Sequence, residues 1–230
     1  MKKRNYEDRP ILITGCARSG TSIVGGIVNY CGAFGGAMTG KTPHNRRGQF
    51  ENNFIRNQIV KPHLRKYGYD PLGQKPLPDI EKLPIDMNWK TRVINVMKDQ
   101  GYKSGPWFYK GAKMCLFWPQ WHFAFPTARW IFVRRENRDI INSCLKTGFM
   151  SKYKKAEGWQ KWIDVHMERL EEMKDAGMDV VEVWPSKIIS GNYGEIKNAI
   201  HHVGLRWNRD VVHDFIDPRL WHGKAGKGDN

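Results

Sequence analysis

The sequence has few cysteines and no long apolar run. Its 230 residues include four cysteines, none of them in a CxxC pair, and no group of Cys and His has the spacing of a zinc site. No segment approaches the roughly 20 apolar residues of a membrane span. The apolar run after the basic N-terminus covers only residues 11–13, which is too short for the core of a signal peptide. We therefore expect a cytoplasmic protein with reduced cysteines, no metal site and no membrane anchor.

Acidic residues are also scarce relative to basic ones. Lys and Arg number 38 against 23 Asp and Glu, so the formal net charge is +15. Such an excess concentrates anions around the protein but does not distinguish nucleic acid, a membrane face, an acidic glycan or a phosphorylated cofactor. The length suits one domain with a substantial core. We predict a single domain over residues 1–230, in which the Pro- and Gly-rich region 62–105 is an insertion that caps the active site.

Short apolar segments predict strands, and helical patterns lie between them. The clearest strands are 10–14 and 129–133, and weaker candidates are 107–110 and 179–183. Helical spacing of apolar residues predicts helices over 21–31, 86–99, 137–146, 158–175 and 193–203. This alternation predicts an α/β, P-loop-like three-layer fold with a central parallel sheet flanked by helices.

The loop after the first strand is similar to a nucleotide phosphate loop that lacks its lysine. Gly15 and Gly20 have Gly-x4-Gly spacing, but Thr21 stands where a nucleotide P-loop has Lys, and Ser22 follows it. Such a turn lets backbone N–H groups converge on an anion, and the next helix adds partial positive charge. The missing lysine argues against ATP-dependent phosphoryl transfer. The predicted anion-binding residues are Ala17, Arg18, Ser19, Gly20, Thr21 and Ser22.

A second motif begins at the end of the strand predicted over 129–133. Arg135 lies at this strand end, and Ser143 lies eight positions later in the predicted helix. An Arg at the carboxyl end of a parallel strand points toward the crevice where such sheets bind ligands, and the Ser can approach the same crevice. A charged fork and a hydroxyl suit a monoester phosphate. The sequence therefore predicts a second phosphate site here.

Together the two motifs resemble the cofactor sites of sulfotransferases. Residues 18–22 resemble their 5′-phosphosulfate loop. Arg135, Asp139 and Ser143 match their 3′-phosphate motif in register, although Asn137 replaces its proline. Further segments that begin at Arg46, Tyr109 and Val203 are similar to bacterial and carbohydrate-type members of the family.

The resemblance implies transfer of a sulfuryl group from 3′-phosphoadenosine 5′-phosphosulfate (PAPS) to an acceptor hydroxyl or amine. The other product is adenosine 3′,5′-bisphosphate (PAP), and no metal takes part. It further implies a small-molecule or glycan acceptor and no nucleic-acid or membrane partner, and it leaves the oligomeric state open. Two alternatives stay open: a P-loop nucleotide kinase, and a non-catalytic nucleic-acid-binding module motivated by the positive charge. The Gly- and Lys-rich tail from residue 222 is loosely similar to a loop that closes over the nucleotide in cytosolic sulfotransferases.

The resemblance does not identify a single general base. The small-molecule branch has a His after a Lys-Thr pair, but the matching place here, 110–112, is Lys-Gly-Ala. Glu51 lies in a segment similar to one that supplies a catalytic Glu, and His44 competes with it. We expect burial to raise the pKa of Glu51 toward neutrality. Arg18 and Lys110, which could neutralise developing charge, complete the predicted catalytic group.

Overall fold

Four parallel strands form the centre of the molecule. The structure is a computed structural model that describes residues 6–41 and 46–221. The strands are β1 Ile11–Thr14, β2 Phe108–Lys110, β3 Arg129–Val133 and β4 Asp179–Val183. Their order in the sheet is β2-β1-β3-β4. His44 and the tail from residue 222 lie outside the described residues. Helices flank this sheet, so the predicted α/β fold with a central parallel sheet is confirmed.

Helices fill the connections between the strands. The α-helices of the described ranges are α1 Thr21–Tyr30, α2 Lys61–Lys66, α3 Trp89–Asp99, α4 Trp118–Ala124, α5 Asn137–Leu145, α6 Ala156–Asp175, α7 Pro185–Ile189, α8 Gly194–His202 and α9 Arg209–Phe215. A π-helical segment, Ile55–Val60, precedes α2, and single 3-10 turns cover Met114–Phe117 and Pro218–Leu220. No helix in this part of the chain is long and apolar enough to cross a membrane.

The central strands divide their side chains between two cores. Leu12, Trp130 and Phe132 pack on one face with residues of α3, α4 and α6. Ile13 and Ile131 pack on the other face with residues of α1, α8 and α9. Successive side chains of a strand point to opposite faces, so a strand covered on both sides is apolar throughout. This explains why β1 and most of β3 appear in the sequence as continuous apolar runs, whereas β4, which is half-buried over most of its length, contains Asp179 and Glu182.

Tryptophan contributes much of this packing. Six of the ten tryptophans are fully buried: Trp89, Trp107, Trp121, Trp130, Trp159 and Trp162. Trp121 stacks on Tyr109 with ring centroids 5.2 Å apart. Large aromatic side chains bury much apolar area each, so these residues stabilise the core and are not available as a surface for sugar binding.

Region 62–105 is attached to the rest of the chain by apolar packing and by hydrogen bonds. Helix α3 packs into the same core as Leu12 through Trp89 and its neighbours. Buried Gln74 forms the second attachment: its Nε2 donates to the carbonyl oxygen of Phe149 over 2.7 Å, and its Oε1 accepts from the N–H of Ser151 over 3.1 Å. These bonds join the region to the segment that follows α5. That the region caps an active site stays a prediction.

Candidate functional site

Two glycines shape the loop between β1 and α1. Gly15 has φ 149°, and a Cβ there would lie 2.4 Å from the carbonyl oxygen of Val133. Gly20 has φ 98°, and a Cβ there would lie 2.9 Å from Cγ of Pro185. Between them Arg18 has φ 71°, a conformation that is uncommon for a residue other than glycine. The loop thus turns tightly against β3 and α7, where any side chain at the two glycine positions would force it away.

The first turn of α1 is open to a ligand. Its N-cap residue, Gly20, has no side chain that could cap the first N–H groups, and the turn contains no acidic residue. The hydroxyl of Ser19 is buried and forms no hydrogen bond within residues 6–41 and 46–221. Uncapped N–H groups and the helix dipole favour an anion at this end of a helix. The loop is therefore chemically suited to a phosphate or phosphosulfate group.

A cavity of about 460 Å³ lies beside the loop. This volume is within the range of small-molecule and cofactor sites. Its charged lining is strongly basic, because within the described ranges five arginines face one carboxylate, that of Asp217. The arginines are Arg18, Arg46, Arg47, Arg135 and Arg219.

Most of the predicted cofactor residues line this cavity. They are Arg18, Gly20, Thr21, Ser22, Arg135 and Ser143. Ala17 and Ser19 belong to the same loop but are not among the lining residues. The cavity therefore brings the loop together with the strand-end motif.

Direct contacts join the two motifs. Nε of Arg18 donates to Oγ of Ser143 over 2.9 Å, although the two residues are 125 positions apart. Nη1 of Arg135 donates to the carbonyl oxygen of Arg18 over 2.7 Å. The Arg135 guanidinium also lies over the ring of Trp221, with Cζ 4.3 Å from the ring centroid, and its Nε is 4.0 Å from a carboxylate oxygen of Asp139. Arg18 thus contacts the residues predicted to bind the second phosphate.

Burial affects the electrostatics of both arginines. It lowers the pKa of Arg18. It also lowers the pKa of Arg135, where Asp139 opposes the decrease and the positive charge of Arg18 adds to it. Arginine nevertheless keeps its charge in proteins. The two partly buried cations repel each other, so an anion between them would be stabilised.

Glu51 and Lys110 lie in a second group of charges, which is not part of the cavity lining. Only 8% of Glu51 and 5% of Lys110 is exposed. Oε2 of Glu51 is 3.6 Å from Nζ of Lys110 and 3.8 Å from Nη1 of Arg56, and Oε1 is 4.0 Å from Nζ of Lys113. The hydroxyl of Tyr109 donates to Oε1 over 3.5 Å. We call Glu51, Arg56, Lys110 and Lys113 the Glu51 cluster.

These cations reverse the expected pKa shift of Glu51. Burial alone raises the pKa of the carboxyl, but Lys110, Lys113 and Arg56 more than offset burial, so the pKa lies below its ordinary value. The prediction that burial would raise it toward neutrality is wrong, because three cations surround the buried carboxylate. Burial also lowers the pKa of Lys110, with Glu51 opposing the decrease.

The Glu51 cluster and the cavity lie at the same edge of the sheet. Lys110 ends β2 opposite Ile13 of β1. The hydroxyl of Thr14, at the end of β1, donates to the carbonyl oxygen of Gly111 over 3.1 Å. A Cβ at Gly25 of α1 would lie 3.5 Å from Cγ of Lys110. Both groups therefore occupy the carboxyl ends of parallel strands, where α/β sheets bind ligands.

Several charged residues of the site were missed by the sequence analysis. Arg46, Arg47 and Arg219 line the cavity, and Arg56 and Lys113 surround Glu51. Arg46 and Arg47 begin the segment that contains Glu51, and Lys113 and Arg219 lie in the segments that begin at Tyr109 and Val203, so the similarity of these segments to sulfotransferases was the available indication. No group of three or more His, Cys, Asp or Glu residues that could hold a metal occurs in the described ranges.

Comparisons with known proteins point to one fold. No family model matches the chain, and no curated protein matches it. Sulfotransferase STF1 from Mycobacterium tuberculosis H37Rv superposes with a TM-score of 0.52 at 14% identity, over 90% of this chain and 70% of that one. The chain has a sulfotransferase-like fold. Sulfotransferase STF9 from Mycobacterium avium gives a TM-score of 0.60 at 14% identity, over 90% of this chain and 66% of that one. At 14% identity the sulfotransferase-like fold is what these similarities show.

Proposed function

We propose that the protein transfers a sulfuryl group from PAPS to an acceptor hydroxyl or amine, such as that of a carbohydrate. The observation that carries the proposal is the contact of Arg18 with Ser143 and Arg135 at the wall of one basic cavity. Two phosphate motifs that are far apart in the sequence converge there, as a donor with a phosphate at each end requires. The sulfotransferase-like fold supports the same function.

Each end of the donor has matching groups in this chain. The N-terminus of α1, with the hydroxyls of Ser19, Thr21 and Ser22, suits the 5′-phosphosulfate. Arg135 and Ser143 suit the 3′-phosphate, since a guanidinium and a hydroxyl both donate hydrogen bonds to phosphate oxygens. The donor supplies an activated sulfuryl group. The hydrogen bond from Arg18 to Ser143 supports a role for Arg18 at both proposed phosphate sites.

The Glu51 cluster provides the remaining groups for transfer. The lowered pKa keeps Glu51 ionised at neutral pH, so it can accept the proton of an acceptor hydroxyl at its carboxylate. Lys110 lies 3.6 Å from that carboxylate and at the end of β2, where its charge can stabilise negative charge that develops on the leaving phosphate. Arg18 contributes a second cation from the loop.

Adenosine 3′,5′-bisphosphate should raise the melting temperature more than ATP with magnesium or single-stranded DNA does. A ligand at ~100 times its dissociation constant stabilises the native state by about 2.7 kcal/mol. A thermal-shift series at matched ligand concentrations measures this. A larger shift with ATP and magnesium would favour the kinase alternative, and a larger shift with DNA would favour the nucleic-acid-binding alternative.

Sulfuryl transfer should persist in excess EDTA. The groups that suit the phosphosulfate are backbone N–H groups, hydroxyls and arginines, which need no bridging cation. Labelled PAPS with a panel of acceptors, assayed with and without EDTA, provides the measurement. Strict dependence on added magnesium would contradict the proposal.

A further inference from the structure

The Glu51 cluster holds more positive than negative charge in a nearly closed environment. Side-chain exposure is 10% for Glu51, 6% for Lys110, 14% for Lys113 and 19% for Arg56. Across the described residues, no second carboxylate forms an ion pair with any of the three cations. Three positive charges against one negative charge leave a formal excess of two. Such an excess is unfavourable away from water unless an anion arrives to balance it.

The single carboxylate does not neutralise any one cation closely. Its distances to the three nitrogens run from 3.6 to 4.0 Å, whereas charge-assisted hydrogen bonds of this kind measure about 2.7–2.9 Å. Glu51 is thus shared among the cations. Nearby Lys61 experiences the same excess: burial lowers its pKa, and the positive charges of Arg56 and Lys113 lower it further.

Arg56 is held in place by neutral partners. Its Nη1 donates to Oε1 of Gln49 over 3.2 Å, and its Nη2 donates to Oδ1 of Asn53 over 2.9 Å. These amide oxygens fix the guanidinium without cancelling its charge. Lys113 is confined on its other side by region 62–105, because a Cβ at Gly73 would lie 2.8 Å from Cγ of Lys113. The cations are therefore oriented before any ligand binds, which lowers the entropic cost of binding an anion.

We propose that the Glu51 cluster binds an acidic group of the acceptor, a carboxylate or a sulfate, next to the hydroxyl that receives the sulfuryl group. This rests on the proposed sulfotransferase function. Arg56 belongs to the helical segment Ile55–Val60 and Lys61 to the helix Lys61–Lys66, and neither residue lines the basic cavity beside the loop. Their charges therefore serve a ligand other than the nucleotide. One acidic group would offset half of the excess charge and leave Glu51 to take the proton.

The test uses three matched oligosaccharides: one that contains a uronic acid, its carboxyl-reduced form, and the reduced form carrying a sulfate. Calorimetry on the full chain, with and without PAP, should show that the two acidic probes bind about 10–100-fold more tightly than the neutral one. Comparison of the two acidic probes identifies which acidic group is preferred. Lys113→Gln, and separately Arg56→Gln, should remove most of that difference while leaving PAP affinity unchanged.

Lys103→Gln is the matched control, because Lys103 is exposed and lies outside the Glu51 cluster. The inference is overturned if acidic and neutral probes bind equally to the folded protein. It is also overturned if Lys113→Gln and Arg56→Gln behave like Lys103→Gln. If the acidic probes bind as expected but PAP does not, the anion subsite stands and the sulfotransferase function falls. Circular dichroism of each variant verifies that it is folded.

Discussion

Glu51→Gln should lower turnover by ~10²–10⁴, the usual contribution of a general base, with little change in PAP affinity. Glutamine keeps the shape of the side chain and removes its ability to take a proton. PAP affinity should hold because Glu51 does not line the basic cavity. Single-turnover rates with a verified acceptor, together with calorimetric titration of PAP, measure the two effects separately.

The pH dependence of the wild-type protein distinguishes Glu51 from His44 as the base. A carboxylate acts as a base above its pKa and loses this ability as the pH falls through it. Because the three cations hold the pKa of Glu51 below its ordinary value, about 4.3 for an unperturbed Glu, kcat/KM should stay level from pH 7 down to pH ~5. A histidine base would produce a decline near pH ~6.5.

Because its pKa is lowered in the folded state, ionised Glu51 also increases the free energy of unfolding. Its contribution is fully present above the ordinary pKa of Glu and is lost as the pH falls through the lower pKa of the folded state. Glu51→Gln leaves buried Lys110 and the partly buried Arg56 and Lys113 without their carboxylate, so the melting temperature should also decrease. Glu168→Gln makes the same chemical change at an exposed position of α6 and should change neither the turnover nor the melting temperature. Near-normal turnover of a folded Glu51→Gln protein, with a large loss in His44→Ala, would assign the base to His44.

The parts of the fold that depend on local patterns were predictable from the sequence. β1 and β3 are short, mostly apolar runs because they are buried on both faces, and that makes them visible without a structure. The five-residue helix Pro185–Ile189 was missed because it is too short to show helical periodicity. The segment Ile55–Val60 was missed for a different reason: its widened π turns have no spacing that the α-helical pattern detects.

The residues of the candidate site also include some that the sequence could predict and some that it could not. Arg135 and Ser143 could be predicted as lining residues because one lies at the carboxyl end of a parallel strand and the other in the helix that follows, and both positions face the crevice. The neighbours of Glu51 could not be predicted, because Arg56 and Lys113 reach it from segments whose packing no local pattern specifies. The sign of the pKa shift depends on those neighbours. Knowing that a carboxyl is buried is insufficient to predict whether its pKa rises or falls.

Arg135→Ala and Ser143→Ala should weaken PAP binding by about 1.5–3 kcal/mol for each lost charge-assisted contact. Binding of adenosine 5′-phosphosulfate, which lacks the 3′-phosphate, should change little. Arg18→Ala should weaken both nucleotides, since Arg18 belongs to the loop and also donates to Ser143. Calorimetric titration of the two nucleotides against the three variants gives the comparison. Arg138→Ala removes an exposed arginine of α5 and serves as the control.

The Ser143 variant is the most informative of the three. Arg135 also donates to the carbonyl oxygen of Arg18, so its loss can displace the loop and weaken a nucleotide that has no 3′-phosphate. Ser143 accepts one hydrogen bond from Arg18, and its removal leaves the backbone contacts of the loop in place. A selective loss of PAP affinity in Ser143→Ala therefore places the 3′-phosphate at this hydroxyl. Equal losses for both nucleotides in all three variants would contradict the division into two phosphate sites.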